Sequence, residues 1–300
     1  MITTLTLNPA FDVHVTVKDF KLGHETFAES VIRDIGGKGI NISKALTENN
    51  IENVAVVVLG SENSGDFTRG MDEMGIKYKP ILCDGRIREN ITIHPSVGEE
   101  TRLSFKGFKC DSSILTKIES ITDTVGIVTF TGSIPDGIEY SQAESFLIRL
   151  REKGTKLVID SKSVTLDMLR NIKPWLIKPN TEEIQAYCGK EMNEKELCSV
   201  AYDLNKDGIE NVMISLGEEG AILATEGNVY RAYVPEIKVL STIGAGDSAI
   251  AGFISCNGSV EERLKTAVSY GSAACLGEGS NPPLTSDIKE IYIKVKIQKV

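Results

Sequence analysis

Two glycines separated by an alanine and followed at once by an aspartate, Gly244-Ala245-Gly246-Asp247, are the residues of this chain best suited to chemistry. Glycines let a backbone approach an anion closely. A helix opening here would aim free N–H groups and the positive end of its dipole at one point. Asp247 would stand beside that point. An anion site next to a carboxylate base is what phosphoryl transfer to a hydroxyl requires. A carboxylate at a helix start is also an ordinary N-cap, so the motif alone does not decide between chemistry and capping.

Further segments offer complementary groups. Gly36-Gly37-Lys38-Gly39-Ile40-Asn41 is a glycine cluster opening a helix, without the spacing of a Walker A loop. Lys38 there suits a phosphate and Asn41 suits sugar hydroxyls. A solvated lysine in a tight turn is the plain alternative. In Asn8-Pro9-Ala10-Phe11-Asp12, the Asp12 carboxylate suits vicinal hydroxyls, or else an Asx-turn at a strand end. Arg88-Glu89-Asn90 offers a guanidinium that would clamp a phosphate bidentately, or a surface arginine. Gly132-Ser133-Ile134-Pro135 follows an apolar strand and would line the same cleft mouth.

Two segments suit a nucleotide and its metal. In Lys178-Pro179-Asn180-Thr181-Glu182-Glu183, Asn180 and Glu183 lie three apart on one helix face. They would meet the water shell of Mg²⁺, which needs few protein ligands, or they would simply cap the helix. Ser215-Leu216-Gly217-Glu218-Glu219-Gly220 ends an apolar strand in a glycine turn against which a nucleotide would lie.

These groups need a scaffold that gathers strand ends. Residues 54–59 form a continuous apolar run, as expected of a strand buried on both faces of a parallel sheet. Strands at 126–130, 156–160, 175–178 and 211–215 alternate with helices at 141–153, 164–171, 181–187 and 194–206. Helices are also expected at 40–47 and 65–74. This alternation predicts right-handed βαβ units and an α/β fold, with ligands at the carboxyl ends of the strands. Residues 239–243 read as the strand leading into the glycine turn. Short pieces at 13–17, 29–33, 77–82, 90–94 and 101–105 predict a small antiparallel lid with one wet face.

The chain has 300 residues and a net charge of −9, with no basic block that would follow a nucleic acid. No apolar run is long enough to span a membrane, and the first residues read as a strand and not as a signal peptide. A cytoplasmic location is expected. The 6 cysteines form no C-x-x-C pair, and the 3 histidines are isolated in sequence and stand beside no nucleophile motif. Structural zinc, a disulfide framework and a Ser-His-Asp enzyme are therefore not expected. Cys256 and Cys275 lie in apolar helical patterns, where buried thiols are expected.

Taken in order, these motifs resemble the PfkB carbohydrate kinases of the ribokinase-like superfamily. The likeness runs essentially from end to end. The opening Thr-Leu-Asn-Pro-Ala and the Gly-Gly-Lys-Gly-Ile-Asn loop are similar to the branch of 1-phosphofructokinase and tagatose-6-phosphate kinase. The resemblance implies a single three-layer α/β/α domain over 1–300, with a mostly parallel sheet and a β lid from about 13–35 and 88–105. It implies ATP and Mg²⁺, a phosphorylated sugar substrate and a homodimer paired through the lid.

Carried over, Asp247 would be the catalytic base, and the amides of Gly244, Ala245 and Gly246 would form the anion hole. Asp12, Gly37 and Asn41 would hold sugar hydroxyls. Lys38, Arg88 and Ser133 would bind the phosphate already on the sugar, with Asn90 nearby. Asn180 and Glu183 would organise Mg²⁺ through water. Lys178, Ser215, Gly217 and Gly220 would line the ATP site. The implied reaction is phosphorylation of fructose 1-phosphate. Tagatose 6-phosphate, an unphosphorylated sugar or nucleoside, and a silent sugar-phosphate sensor are the alternatives.

The chain departs from the family pattern in places. Ser104-Phe105-Lys106-Gly107-Phe108 stands where relatives read Asn-Glu-Pro-Gly-Pro. Ser161-Lys162-Ser163 follows Asp160 in place of a small-Ser-Gly run. Asn281-Pro282-Pro283 follows the glycine-rich stretch at 277–279.

Overall fold

Strands apolar on both faces must lie between two helical layers, and the computed structural model, which describes residues 1–122 and 125–300, shows this arrangement. The first half contains β1 (Ile2–Thr6), β2 (Ala10–Val17), β3 (Ala28–Gly36), α1 (Lys38–Glu48), β4 (Asn53–Gly60) and α2 (Ser64–Glu73). There follow β5 (Tyr78–Cys83), β6 (Arg88–Pro95), β7 (Thr101–Ser104), α3 (Ser113–Ile121) and β8 (Ile127–Thr131). Next come α4 (Tyr140–Glu152), β9 (Lys156–Asp160), α5 (Leu166–Ile172), β10 (Leu176–Ile177), α6 (Thr181–Cys188), α7 (Glu194–Lys206) and β11 (Asn211–Ser215). The chain ends with β12 (Ala221–Thr225), β13 (Asn228–Tyr233), α8 (Ala245–Ser255), α9 (Val260–Ala274), α10 (Thr285–Lys294) and β14 (Lys296–Lys299).

The large sheet has the order β14-β13-β12-β11-β10-β9-β8-β1-β4-β5. From β11 to β5 every neighbouring pair is parallel, and β12, β13 and β14 extend the sheet antiparallel. One helical layer packs Phe67 and Met71 of α2 and Phe146, Leu147 and Leu150 of α4 into the core. The opposite layer packs Ile42 and Leu46 of α1, Phe253 of α8 and Leu264 of α9. Each such side chain contributes about 1.5–3 kcal/mol on full burial, so both faces of the sheet are strongly held. No helix among the described residues is long and apolar enough to cross a membrane.

A second sheet of order β3-β2-β6-β7 is built by the segments expected to form the lid, and that name is kept for it. Its β2–β3 and β6–β7 pairs are antiparallel, and β2 meets β6 in parallel. Strand register sorts its residues by face, because directly opposed residues share a side. Asp12, Asp34, Asn90 and Ser104 fall on one face with His14, Thr92 and Arg102. Val15, Val31, Ile91, Ile93 and Leu103 fall on the other.

Some expectations require correction. Residues 77–82 do not belong to the lid: β5 pairs in parallel with β4 at the edge of the main sheet. The alternating pattern there reflects an edge position and not a lid face. Residues 239–243 are not a strand. The last strand before the glycine turn ends at Tyr233, and the segment is held by Leu240 N–H donating to Cys275 O (2.8 Å) and Ser241 Oγ donating to Gly279 O (3.1 Å). His14 and His94 are distant in sequence but meet on the lid, Nδ1 to Nε2 at 2.9 Å. Cys275 is buried as expected, whereas Cys256 is half-buried.

Candidate active site

The carboxyl ends of the central parallel strands converge. Asn8 follows β1, Ser133 follows β8, Asp160 ends β9, Lys178 follows β10 and Ser215 ends β11. Asn8 Nδ2 donates to Ser133 Oγ at 2.9 Å, which ties two of these ends together. β1 lies between β8 and β4, so the chain order reverses there, and such a switch point opens the crevice in which α/β folds bind ligands.

Across the crevice stands the amino end of α8. Gly244 adopts φ +79°, a conformation that favours glycine, and no side chain caps the helix. Ala245 N–H donates back to Thr242 O (3.3 Å), so this amide, expected in the anion hole, is engaged within the turn. The amides of Gly246 and Asp247 have no acceptor among the described residues. These open donors and the helix dipole make an anion site. A Cβ on Gly246 would lie 3.0 Å from Lys178 Nζ, so the missing side chain lets an ammonium sit against the turn.

Asp247 is buried, at 6% exposure. It accepts from Asn41 Nδ2 at 2.9 Å. Burial first and the charge of Asp160 second raise its pKa to about 6, against the opposing pull of Lys38, Asn41 and Lys178. A carboxylate held near neutrality is suited to taking a proton. Asp160 is buried beside it and pairs with Lys38 Nζ at 3.0 Å and Lys178 Nζ at 3.9 Å. Lys38 thus stands with Asp160, whose backbone carbonyl in turn accepts from Gly132 N–H at 3.1 Å, next to Ser133. Its ammonium also faces Asp247 and Glu183, whose charges support its protonation.

The polar face of the lid closes the other side. Asp12 Oδ1 accepts from Asn90 Nδ2 at 3.0 Å and lies 3.7 Å from Arg102 Nη2. Arg88 is half-buried, and among the described residues its guanidinium donates only to two carbonyls at 3.4 Å, those of Asn8 and Phe105. Burial lowers its pKa, and Arg102 lowers it further, so two cations face one region. Asn8 Oδ1, Asn41 Oδ1, Asn90 Oδ1 and Arg88 Nε are buried without a hydrogen-bond partner among the described residues. Buried polar atoms are nearly always paired, so this set is one that a polar ligand would complete. Gly37, at φ +122°, is the N-cap of α1 and brings Lys38 and Asn41 onto the crevice.

At the amino end of α6, Asn180 and Glu183 form a capping box. Asn180 Oδ1 accepts from Glu183 N–H at 2.8 Å, and Glu183 Oε2 accepts from Asn180 N–H at 3.1 Å. The plain alternative for this pair is therefore realised, although the Glu183 charge still reaches Lys38. Ser215 bridges to Asn180, and Thr181 Oγ1 donates to Ser215 O at 3.3 Å. Gly217 and Gly220 shape the turn between β11 and β12. Arg231, at 2% exposure, holds that turn by donating to Glu219 O at 2.8 Å, and pairs with Glu194 at 3.1 Å.

Three groups escaped the sequence reading. Asp160 was readable as a carboxylate at the end of an apolar strand, but only the fold brings it to Lys38 and Asp247. Arg102 lies in the lid strand two residues before the altered segment that starts at Ser104, and faces Asp12 only through strand register. Lys44 is buried in α1, where Nζ donates to Ile35 O at 2.7 Å and to Ser280 Oγ at 3.4 Å. It thus links the lid root to the loop beside the glycine turn.

Comparison with known proteins gives a consistent picture. The chain is 34% identical over 262 residues to the 1-phosphofructokinase of Haemophilus influenzae, covering 84% of this chain and 83% of that protein. It is 32% identical to the 1-phosphofructokinase of Borreliella burgdorferi, covering 100% and 99% of the two chains. Phosphofructokinase-2 from Escherichia coli, solved with substrates and products, shares the fold with a TM-score of 0.90 at 24% identity, covering 98% of each chain. The pfkB family carbohydrate kinase model matches residues 12–287, and the chain belongs to that family.

Proposed function

We propose that this chain transfers the γ-phosphoryl group of ATP to a primary hydroxyl of a ketohexose phosphate, with fructose 1-phosphate as acceptor and fructose 1,6-bisphosphate as product. The observation that carries this reading is the opposition of two sets across one crevice. Arg88, Arg102 and the Asp12–Asn90 pair face it from the lid, and the Asp247–Asn41 pair faces it beside open amides. Cations that lack a strong partner suit a substrate that already carries a phosphate. The activity named for the Haemophilus influenzae and Borreliella burgdorferi relatives supports this acceptor.

In this reading Asp12, Asn90 and Asn41 hold the sugar hydroxyls, and Arg88 and Arg102 hold its phosphate, with Ser133 at the rim. Asp247 accepts the proton of the attacking hydroxyl as its oxygen bonds to the γ-phosphorus. The bond to the bridging oxygen breaks, and its electron pair leaves with ADP. The amides of Gly246 and Asp247, with Lys178 and Lys38, stabilise charge on the transferring oxygens. Ser215, Gly217 and Gly220 support the nucleotide. Glu183 and Asn180 would meet the water shell of Mg²⁺, a hard cation that needs few protein ligands and would neutralise phosphate charge.

The test is an ATP-coupled kinetic comparison of fructose 1-phosphate, fructose 6-phosphate, tagatose 6-phosphate and free fructose. The expected result is a kcat/KM for fructose 1-phosphate at least about tenfold above each of the others, the size of discrimination that one misplaced charged contact supplies. Turnover confined to free hexoses would sink the phosphosugar reading.

A second copy of the chain is the proposed partner, paired through the lid. Val31 is 60% and Leu103 48% exposed on the lid face turned away from the crevice, and Phe27 and Leu22 beside it are more exposed still. Such an apolar face is characteristic of an interface. Val31→Glu with Leu103→Glu should shift sedimentation from dimer to monomer. A wild-type chain that sediments as a monomer at micromolar concentration would remove the dimer.

A further inference from the structure

Two cysteines far apart in the chain stand at the root of the lid. Cys83 ends β5, just before the residues that lead into lid strand β6. Cys110 follows the segment that leaves lid strand β7. Their Sγ atoms are 3.0 Å apart, about 1 Å beyond the length of a disulfide bond. Both backbones are anchored to the core. Ser61 N–H donates to Cys83 O at 2.8 Å, and Cys110 N–H donates to Asp136 O at 2.8 Å. The thiols are therefore held together by the fold and do not meet by chance motion. Cys110 is buried, at 3% exposure, while Cys83 is partly open to solvent.

We propose that Cys83 and Cys110 are a reversible disulfide site that staples the β6–β7 hairpin at its root, formed by exchange with a low-molecular-weight disulfide. The Cys83 thiolate attacks one sulfur of the reagent, forms a mixed disulfide and expels one thiolate. The Cys110 thiol then loses its proton to solvent, and its sulfur attacks the Cys83 sulfur and expels the second thiolate. The protein pair loses two electrons and two protons, and the reagent is reduced to two thiols. Burial and the neighbouring Cys83 sulfur push the Cys110 thiol up, which assigns first attack to Cys83.

The consequence follows from what the root carries. The segments joined by the pair lead to Arg88 and from Phe105, and the Arg88 guanidinium donates to Phe105 O. Gly85, at φ +106°, leaves room beside Phe108, where a Cβ would lie 3.1 Å from Phe108 Cβ, and a Cβ on Gly107 would collide with Asn8 Oδ1 of the crevice. A covalent link there would fix the spacing of the two segments that carry the lid hairpin. It therefore slows the opening through which a ligand must enter and leave.

The test uses the whole reduced protein incubated with oxidised glutathione, then alkylated and mapped without reduction. The expected result is a linked pair of peptides containing Cys83 and Cys110, an intact mass lower by two hydrogen atoms, and no retained glutathione. Turnover should fall by at least about fivefold, as expected where lid motion limits the rate, and recover with dithiothreitol. Cys110→Ser should instead retain one glutathione on Cys83, and Cys83→Ser should form neither product. Accumulation of glutathione on Cys83 of the unaltered protein would overturn the pairing, as would modification of exposed Cys188 without the link. A linked protein with unchanged turnover would overturn the stapling. The mass readout does not depend on which substrate the chain takes.

Discussion

Asp247→Asn is expected to lower kcat by about 10²–10⁴, the usual size of general-base catalysis, and at the same time to stabilise the fold. The two effects have one cause. The carboxylate is buried beside Asp160, which raises its pKa to about 6. Unfolded, the same group would ionise near the ordinary aspartate value. Between those two values the folded state holds a proton that the unfolded state has released. Stability from this group therefore falls as pH rises through the window and stays reduced above it. A shift of about two units corresponds to ~3 kcal/mol at neutral pH. An isosteric amide removes that penalty. The melting temperature of Asp247→Asn should exceed that of the unaltered protein at pH 7, with the difference shrinking toward pH 4. Loss of turnover with a lowered melting temperature would indicate a folding defect. Near-normal turnover would remove Asp247 from the mechanism.

In the proposed mechanism the same carboxylate would set the acid limb of activity. Asp247 accepts a proton only when ionised, so kcat/KM of the unaltered enzyme should fall as pH drops through about 6. Lys38 and Lys178 oppose the shift, and a substitution that removes either charge should move the limb to higher pH.

The sequence carried the fold well where pattern and physics agree. The continuous apolar run at 54–59 can only be a strand buried on both faces, and β4 spans it. The alternation from 126 to 215 delivered the parallel order because βαβ units admit one hand. Residues 239–243 misled, because a β-branched run next to a glycine turn looks the same whether or not a neighbouring strand accepts its hydrogen bonds. The segment found Cys275 and Gly279 as partners instead. At the site, Asp247 and Asn41 were legible as motif residues, yet their direct bond spans 206 positions and depends on tertiary packing. Lys38 was legible as a cation but not by partner, since Asp160 reaches it only through the strand order β10-β9-β8-β1. Cys83 and Cys110 carry no spacing signal at all, because their approach is created by a lid inserted between them.

Arg88→Ala should raise KM for the phosphorylated sugar by about 10- to 100-fold, the loss expected when one charge-assisted hydrogen-bonding group is removed. KM for ATP should change little, because Arg88 opens lid strand β6 beside Asp12 and the carbonyls of Asn8 and Phe105, and is not part of the β11–β12 turn. The guanidinium is poorly occupied by the protein itself. Its bonds to two carbonyls are long at 3.4 Å, and Nε is buried without a partner among the described residues. Desolvation and the nearby charge of Arg102 both disfavour its ionised form, and only Asp12 supports it. A dianionic phosphate would reverse that imbalance, which is why its removal should act on binding of the phosphosugar more than on the fold. Arg88→Lys keeps the charge but loses the planar fork, so it should recover only part of the affinity. Adding Arg102→Ala to Arg88→Ala should have a less than additive effect if both cations hold one phosphate. Equal increases in KM for sugar and for ATP would show that Arg88 supports the site only through the fold, and fully additive effects would place the two arginines on different parts of the ligand.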